Sequence, residues 1–156
     1  MTPTIRSASA DDADELARLR WEFRIEAGTP ASLGREAFDA EMRAFVEDAL
    51  AGDAWRAWAA EDDGRLVGCV WLHLVEKVPH PGRARWERPL AYVTNMFVEP
   101  GRRNAGLGGA LLDAALAFAR ERNVDGVFLW PGGRSRPFYE RAGFGAGLLW
   151  LEIGGD

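Results

Sequence analysis

The stretch Pro100-Gly101-Arg102-Arg103-Asn104-Ala105-Gly106-Leu107-Gly108-Gly109 decides how this chain is read. Before it lies the apolar run Leu90–Val98, which reads as a strand. After it, Leu107, Leu111, Ala114 and Phe118 recur at helical spacing and predict a helix over 106–122. The stretch is therefore a strand-to-helix turn. Backbone N–H groups at a helix start lack intrahelical partners and carry partial positive charge. A phosphate set there gains several hydrogen bonds together with that charge. Glycines at 106, 108 and 109 remove side chains that would hold it away. Arg102 and Arg103 add two whole positive charges. The same glycines would also serve close packing of the helix on a sheet, and both readings stand at this point. Two other phosphate motifs are excluded. No Gly-Lys-Ser/Thr ends the turn, and Leu111 stands where the third glycine of G-x-G-x-x-G would fall.

Working outward, residues 4–7 read as a first strand. Ser9 with Asp12 resembles a capping box, and Leu16, Leu19 and Phe23 carry a first helix to about residue 27. A second helix is predicted over 35–51, with Phe38, Met42, Phe45 and Val46 on one face. Residues 55–60 and 66–75 form a hairpin about Asp62-Asp63-Gly64. Residues 79–88 are a loop of a length that is often functional. Beyond the central helix come a buried-type strand over 124–130, a short helix over 135–141 and a last strand over 148–153. The order β-α-α-β-β-β-α-β-α-β argues for an α/β chain of the α+β type: a mixed sheet with helices on both faces. The length of 156 residues suits one domain, 1–156, with no linker or repeat.

Bulk properties narrow the partners. A net charge of −5 argues against a general nucleic-acid binder and mildly favours a cationic partner. No apolar run approaches the roughly 18 residues that span a bilayer, and the acidic N-terminus is no signal peptide, so the expected location is cytoplasmic. Cys69, the single cysteine, sits in the apolar run 66–74 and reads as a buried thiol. His73 and His80 form no ligand pattern, so no metal is expected.

Arg103-Asn104-Ala105-Gly106-Leu107-Gly108 is similar to the R/Q-x-x-G-x-G/A signature of GCN5-related N-acetyltransferases. The preceding Tyr92-Val93-Thr94-Asn95-Met96-Phe97-Val98 and Pro100 stand where that family places them. Phe138-Tyr139-Glu140-Arg141-Ala142-Gly143-Phe144 resembles its F/L-Y-x-x-x-G-F segment, and the element order agrees over essentially the whole chain.

The resemblance implies an acyl-CoA N-acyltransferase fold with a mostly antiparallel sheet, and acetyl-CoA as cosubstrate. The diphosphate would lie on backbone amides of Arg103, Asn104, Ala105, Gly106, Leu107, Gly108 and Gly109. The pantetheine arm would run along Met96 and Val98, beside a bulge expected near Asn95 or Met96. An amide near Met96 or Phe97 would face the thioester oxygen. Tyr139 would be the general acid for the leaving thiolate, against the plain reading of a packed aromatic beside Phe138. The family often has an asparagine seven residues before that tyrosine. Gly132 stands there, and Ser135 or Arg136 would take over, although Ser135 also suits a helix N-cap.

The resemblance also implies an attacking amine that must lose a proton, yet residues 91–98 hold no carboxylate. Glu99 reads as a solvated loop charge, and Glu22, Glu26, Glu76 and Glu87 as surface charges, so no base is assigned. Thr94 or Asn95 would hold a relay water. Trp21, Trp86, Glu22, Glu26 and Glu87 lie where the acceptor is expected and would suit a cationic amine. Trp55, Trp58, Trp71 and Trp130 sit in predicted strands. The expected activity is acetyl transfer to a small-molecule amine. Acetylation of a protein N-terminus or lysine, and a silent acyl-CoA-binding module, are the alternatives. A homodimer is common among relatives.

Overall fold

The sheet grows outward from the turn at Asp63-Gly64 in the computed structural model, which describes residues 2–82 and 88–145. Asp63 and Gly64 have φ of 50° and 77°. Positive φ at both central residues matches the twist of a two-residue hairpin. Strands β2 (Trp55–Asp62) and β3 (Arg65–Val75) pair antiparallel across it. Strand β1 (Thr4–Ser7) lies antiparallel on the far side of β2, and β4 (Leu90–Val98) antiparallel on the far side of β3. Strand β5 (Gly126–Phe128) joins β4 in parallel, giving the order β1-β2-β3-β4-β5. A parallel neighbour requires a crossover. Helix α3 (Leu107–Glu121) supplies it.

Each face of the sheet is covered. On one, α1 (Ala13–Glu26) and α2 (Arg35–Ala51) bury Leu16, Leu19 and Val46 against Cys69, Trp71 and Phe97. On the other, α3 buries Leu111, Leu112 and Ala115 against Val70, Leu72 and Val93. The mixed, mostly antiparallel sheet between helices is thus the one the element order implies.

The bulge lies in β4. Cys69 faces Phe97 and Trp71 faces Thr94, so Asn95 and Met96 together oppose Val70 alone. Asn95 takes φ of 54°, which asparagine tolerates better than most residues. An extra residue reverses which positions face which side. Ala91 and Val93 belong to the core under α3, and past the bulge Met96 and Val98 pack there, whereas Phe97 joins the core under α1 and α2.

Several boundaries differ from expectation. Strand β2 runs on to Asp62. The strand expected over 124–130 shrinks to three residues, because the Val124 amide is still bonded to Ala119 O at 3.2 Å as α3 closes. Trp130, expected inside that strand, stands past its end and is 46% exposed. Ser9 N donates to Asp12 Oδ2 at 2.8 Å, yet residues Ala10–Asp12 form a 3-10 turn before α1. The strand expected over 148–153 and the loop residues 83–87, with Trp86 and Glu87, lie outside the described residues.

Candidate active site

The short β5 opens a gap beside β4. The two strands pair only through Leu90, Ala91 and Tyr92. From Val93 onward, the edge of β4 has no partner strand among the described residues. A groove of about 960 Å³ follows that edge. Its lining includes Thr94, Asn95, Met96, Phe97 and Val98 from β4, and Arg20, Phe23, Arg24 and Glu26 from α1. Residues 129–135, Phe138 and Tyr139 close the other side.

Tyr139 belongs to the short helix α4 (Arg136–Arg141). Its ring sits edge-on to Phe138 and Phe144, at centroid distances of 5.0 and 5.9 Å. The residue is 8% exposed, and its hydroxyl has no hydrogen-bond partner among the described residues. Burial raises its pKa above the ordinary 10.0. It is both a packed aromatic and part of the groove wall.

At the helix start, Gly106 has φ of 83° and occupies the N-cap position of α3. No side chain caps this end, and the first amide to find a helix carbonyl is that of Ala110, on Gly106 O at 3.0 Å. Residues 103–106 are exposed and Gly108 and Gly109 half-buried, so the amide end is open. A Cβ on Gly108 would meet the Phe138 ring at 3.5 Å, an ordinary contact, and one on Gly109 would meet nothing within 4 Å. Close packing therefore does not explain glycine at 109. The groove lining includes Arg103 but none of residues 104–109.

The arginines of the turn, expected to add two whole positive charges, are both engaged by carboxylates. Arg102 pairs with Asp62 at 2.5 Å. Arg103 donates through Nε to Val98 O at 2.8 Å, and through both terminal nitrogens to the Glu26 carboxylate at 2.7 and 2.8 Å. Its guanidinium lies 5.5 Å from the Phe97 ring centroid. Arg103 thereby links the turn, the end of β4 and the end of α1.

Other expectations change too. Glu99 is not a solvated loop charge: its side chain is 13% exposed and accepts from Arg18 at 2.8 Å and Arg65 at 2.9 Å. Burial alone would raise its pKa, but the hydrogen bonds from Arg65 and Arg18 outweigh that and hold it low. Glu22 is drawn to Arg18 at 2.9 Å, and Trp21 packs on Phe38; neither lines the groove. Glu76 is exposed. Of the residues expected to suit a cationic acceptor, Glu26 lines the groove, whereas Trp21 and Glu22 do not. Ser135 Oγ donates back to Gly132 O at 3.0 Å and makes no N-cap hydrogen bond.

An open helix end was expected from the turn, and a splayed, bulged strand beside it from the family resemblance. The sequence matches the Acetyltransferase (GNAT) family over residues 13–144. The chain belongs to that family. A predicted acetyltransferase from Clostridium acetobutylicum, solved with acetyl-CoA, superposes with a TM-score of 0.85 at 25% identity, over 97% of this chain and 96% of that one. A GCN5-related N-acetyltransferase from Ralstonia eutropha gives 0.80 at 26% identity, over 97% of each chain. A mycothiol acetyltransferase of Beutenbergia cavernae is 32% identical over 90% of this chain, and a glucosamine 6-phosphate N-acetyltransferase of Trypanosoma brucei brucei is 32% identical over 62%. The chain spans 44% and 62% of the lengths of those two relatives.

Within this GNAT frame, the groove also holds residues that the sequence reading did not single out. Arg20 and Arg24 of α1 line it, and so does Arg134. Arg20 Nη1 donates to Asn95 Oδ1 at 3.0 Å, which ties α1 to the bulge. Tyr92 stacks on Phe128 at 5.2 Å and meets Trp130 edge-on at 4.9 Å, forming an aromatic wall where β5 ends. A signal for the α1 pair existed: Arg20 and Arg24 are one turn apart and flank Phe23, the last apolar residue of the helix stripe.

Proposed function

We propose that this chain transfers the acetyl group of acetyl-CoA to a primary amine of a small molecule, with Tyr139 as general acid. The observation that carries this reading is the position of the Tyr139 hydroxyl, unbonded in the wall of a groove that follows the unpaired edge of β4. The names of two curated relatives, for mycothiol and for glucosamine 6-phosphate, support a small-molecule acceptor.

The residues fit the cosubstrate. The free amides of Leu107, Gly108 and Gly109, with Asn104, Ala105 and Gly106 in the exposed turn, would hold the diphosphate by hydrogen bonds and helix charge. The edge of β4 at Met96, Phe97 and Val98 would hold the pantetheine amides as a neighbouring strand would. Arg103 would turn from Glu26 toward the phosphates, and Ser135 lies across the groove within the same lining. Acetyl-CoA supplies an activated acyl group, and the chain supplies position and a proton. The amine nitrogen bonds to the acyl carbon as the C–S bond breaks. The Tyr139 hydroxyl gives its proton to the sulfur, and the proton of the amine passes to solvent in the open groove. A phenol near or above pKa 10 is protonated at neutral pH, so Tyr139 is ready to donate.

The test is a transfer assay with purified chain, acetyl-CoA and a panel of primary amines, following free thiol and acetylated amine together. Equal release of both supports transfer. Tight acetyl-CoA binding with no acetylated product from any amine, peptides included, would make the chain a silent acyl-CoA binder.

A further inference from the structure

Among the described residues, the groove is lined by four arginines, Arg20, Arg24, Arg103 and Arg134, and by one carboxylate, Glu26. This contrasts with a chain of net charge −5. Glu26 answers two of the four: Arg103 binds it directly, and Arg134 acts on it through space. Both stand at the end of the groove nearest the turn. The other two have no such answer. Arg20 and Arg24 have no carboxylate within 4 Å among the described residues, while Arg18 of the same helix has three.

Arg20 is the informative one. It is half-buried and uses one N–H on Asn95 Oδ1, at the bulge of β4. A guanidinium has five N–H donors, so four have no hydrogen-bond partner among the described residues. Arg24, one helical turn on, places a second positive charge beside it. Like charges at that spacing repel and gain nothing for the helix. Burial and the neighbouring charge both disfavour the charged form of Arg20. A bound anion relieves both costs and uses the idle donors, and a bidentate guanidinium suits a carboxylate or a phosphate. A cationic group at the same place would add to the repulsion.

We infer that the acceptor amine carries an anionic group, carboxylate or phosphate, which Arg20 with Arg24 holds at the bulge end of the groove. This rests on the acetyl-transfer reading above and names the substrate class of that site. Asn95, bonded to Arg20, places the anion subsite next to the unpaired strand edge. The edge-on rings of Tyr92 and Trp130, both in the groove lining, offer an apolar wall for the body of the substrate.

The experiment uses matched primary amines: β-alanine against β-alaninamide, and O-phosphoethanolamine against ethanolamine, extended to larger amines in the same pairing. Two readouts are taken, kcat/KM for acetyl transfer and calorimetric Kd with coenzyme A present. The anionic member of at least one pair should exceed its neutral partner by about tenfold or more in both, the scale of one charge-assisted contact. Which pair responds tells carboxylate from phosphate. Arg20→Gln should collapse that ratio toward unity, mainly through KM, and Arg20→Lys should restore part of it. Arg24→Gln, an exposed change, should reduce it less, and it serves as the check if Arg20→Gln fails to fold. Neutral amines doing as well as anionic ones, or a ratio unaltered by these variants, overturns the inference and leaves acetyl transfer standing. Anion binding that needs Arg20 without any acetylated product supports the subsite and overturns the transfer reading.

Discussion

At the scale of single residues, the proposed site turns on Tyr139, Arg103 and Glu26. Removing the Tyr139 hydroxyl deletes a proton donor and leaves the packed ring against Phe138 and Phe144. Tyr139→Phe should lower kcat by about 10² or more, with little change in acetyl-CoA affinity, when turnover and calorimetry are compared. Unchanged turnover would remove Tyr139 from the chemistry. Because burial raises its pKa, the rate should fall with rising pH only above 10, where the phenol loses the proton it must donate. Glu26 competes for Arg103, and the Arg103 hydrogen bond lowers its pKa. Glu26→Gln should free that guanidinium and tighten acetyl-CoA binding by about threefold or more at low salt, where charge attraction is least screened. Weaker binding would show that Glu26 positions Arg103 rather than withholding it. The expectation for Tyr139 came from its segment, Phe138 to Phe144, alone. The Glu26 partnership was not, because 77 residues separate the pair and only the fold brings them together.

At the scale of elements, the proposed site rests on the start of α3 and the bulge of β4. The three glycines of the turn differ in what holds them. Gly106 needs a positive φ, so Gly106→Ala should cost about 1 kcal/mol of stability, measured by urea unfolding. Gly109 is helical with open space around it, so Gly109→Ala should stabilise the chain by up to about 1 kcal/mol. Equal effects would show that the turn does not have this shape. Gly108→Val puts branches between the amide end and Phe138, and should weaken acetyl-CoA binding about tenfold while the chain stays folded. The helix start was legible because glycine and leucine spacing records it directly. The bulge was narrowed to Asn95 or Met96 by resemblance alone. In Leu90–Val98 both faces are covered, so nearly every position is apolar and no alternation betrays an extra residue. The strand expected over 124–130 was overestimated for a related reason: an apolar run shows burial, and where pairing stops depends on the splay from β4.

At the scale of the whole molecule, charge is distributed with a purpose that its sum conceals. The acidic surplus suggested a cationic acceptor, yet several carboxylates are drawn into pairs that brace the fold. Arg6 joins Asp12 and Glu61, and Arg18 and Arg65 hold Glu99 between α1 and β3. The Arg6 hydrogen bond lowers the Asp12 pKa, and the arginine hydrogen bonds lower that of Glu99 against the effect of burial. A carboxylate whose folded pKa lies below its unfolded one contributes stability above about pH 4, which is lost as pH falls through the folded value. Urea midpoints should therefore stay level from about pH 7 to 5 and drop below about 4, and Glu99→Gln should flatten that drop. A midpoint that rises on acidification would contradict the assignment. The central claim, that acetyl-CoA lies along the splayed edge of β4 with its diphosphate on the start of α3, is tested most directly by backbone hydrogen exchange with and without acetyl-CoA. The account predicts slowed exchange concentrated in residues 94–98 and 103–109. Unchanged exchange in both segments at saturating acetyl-CoA, or protection confined to other parts of the chain, would contradict it.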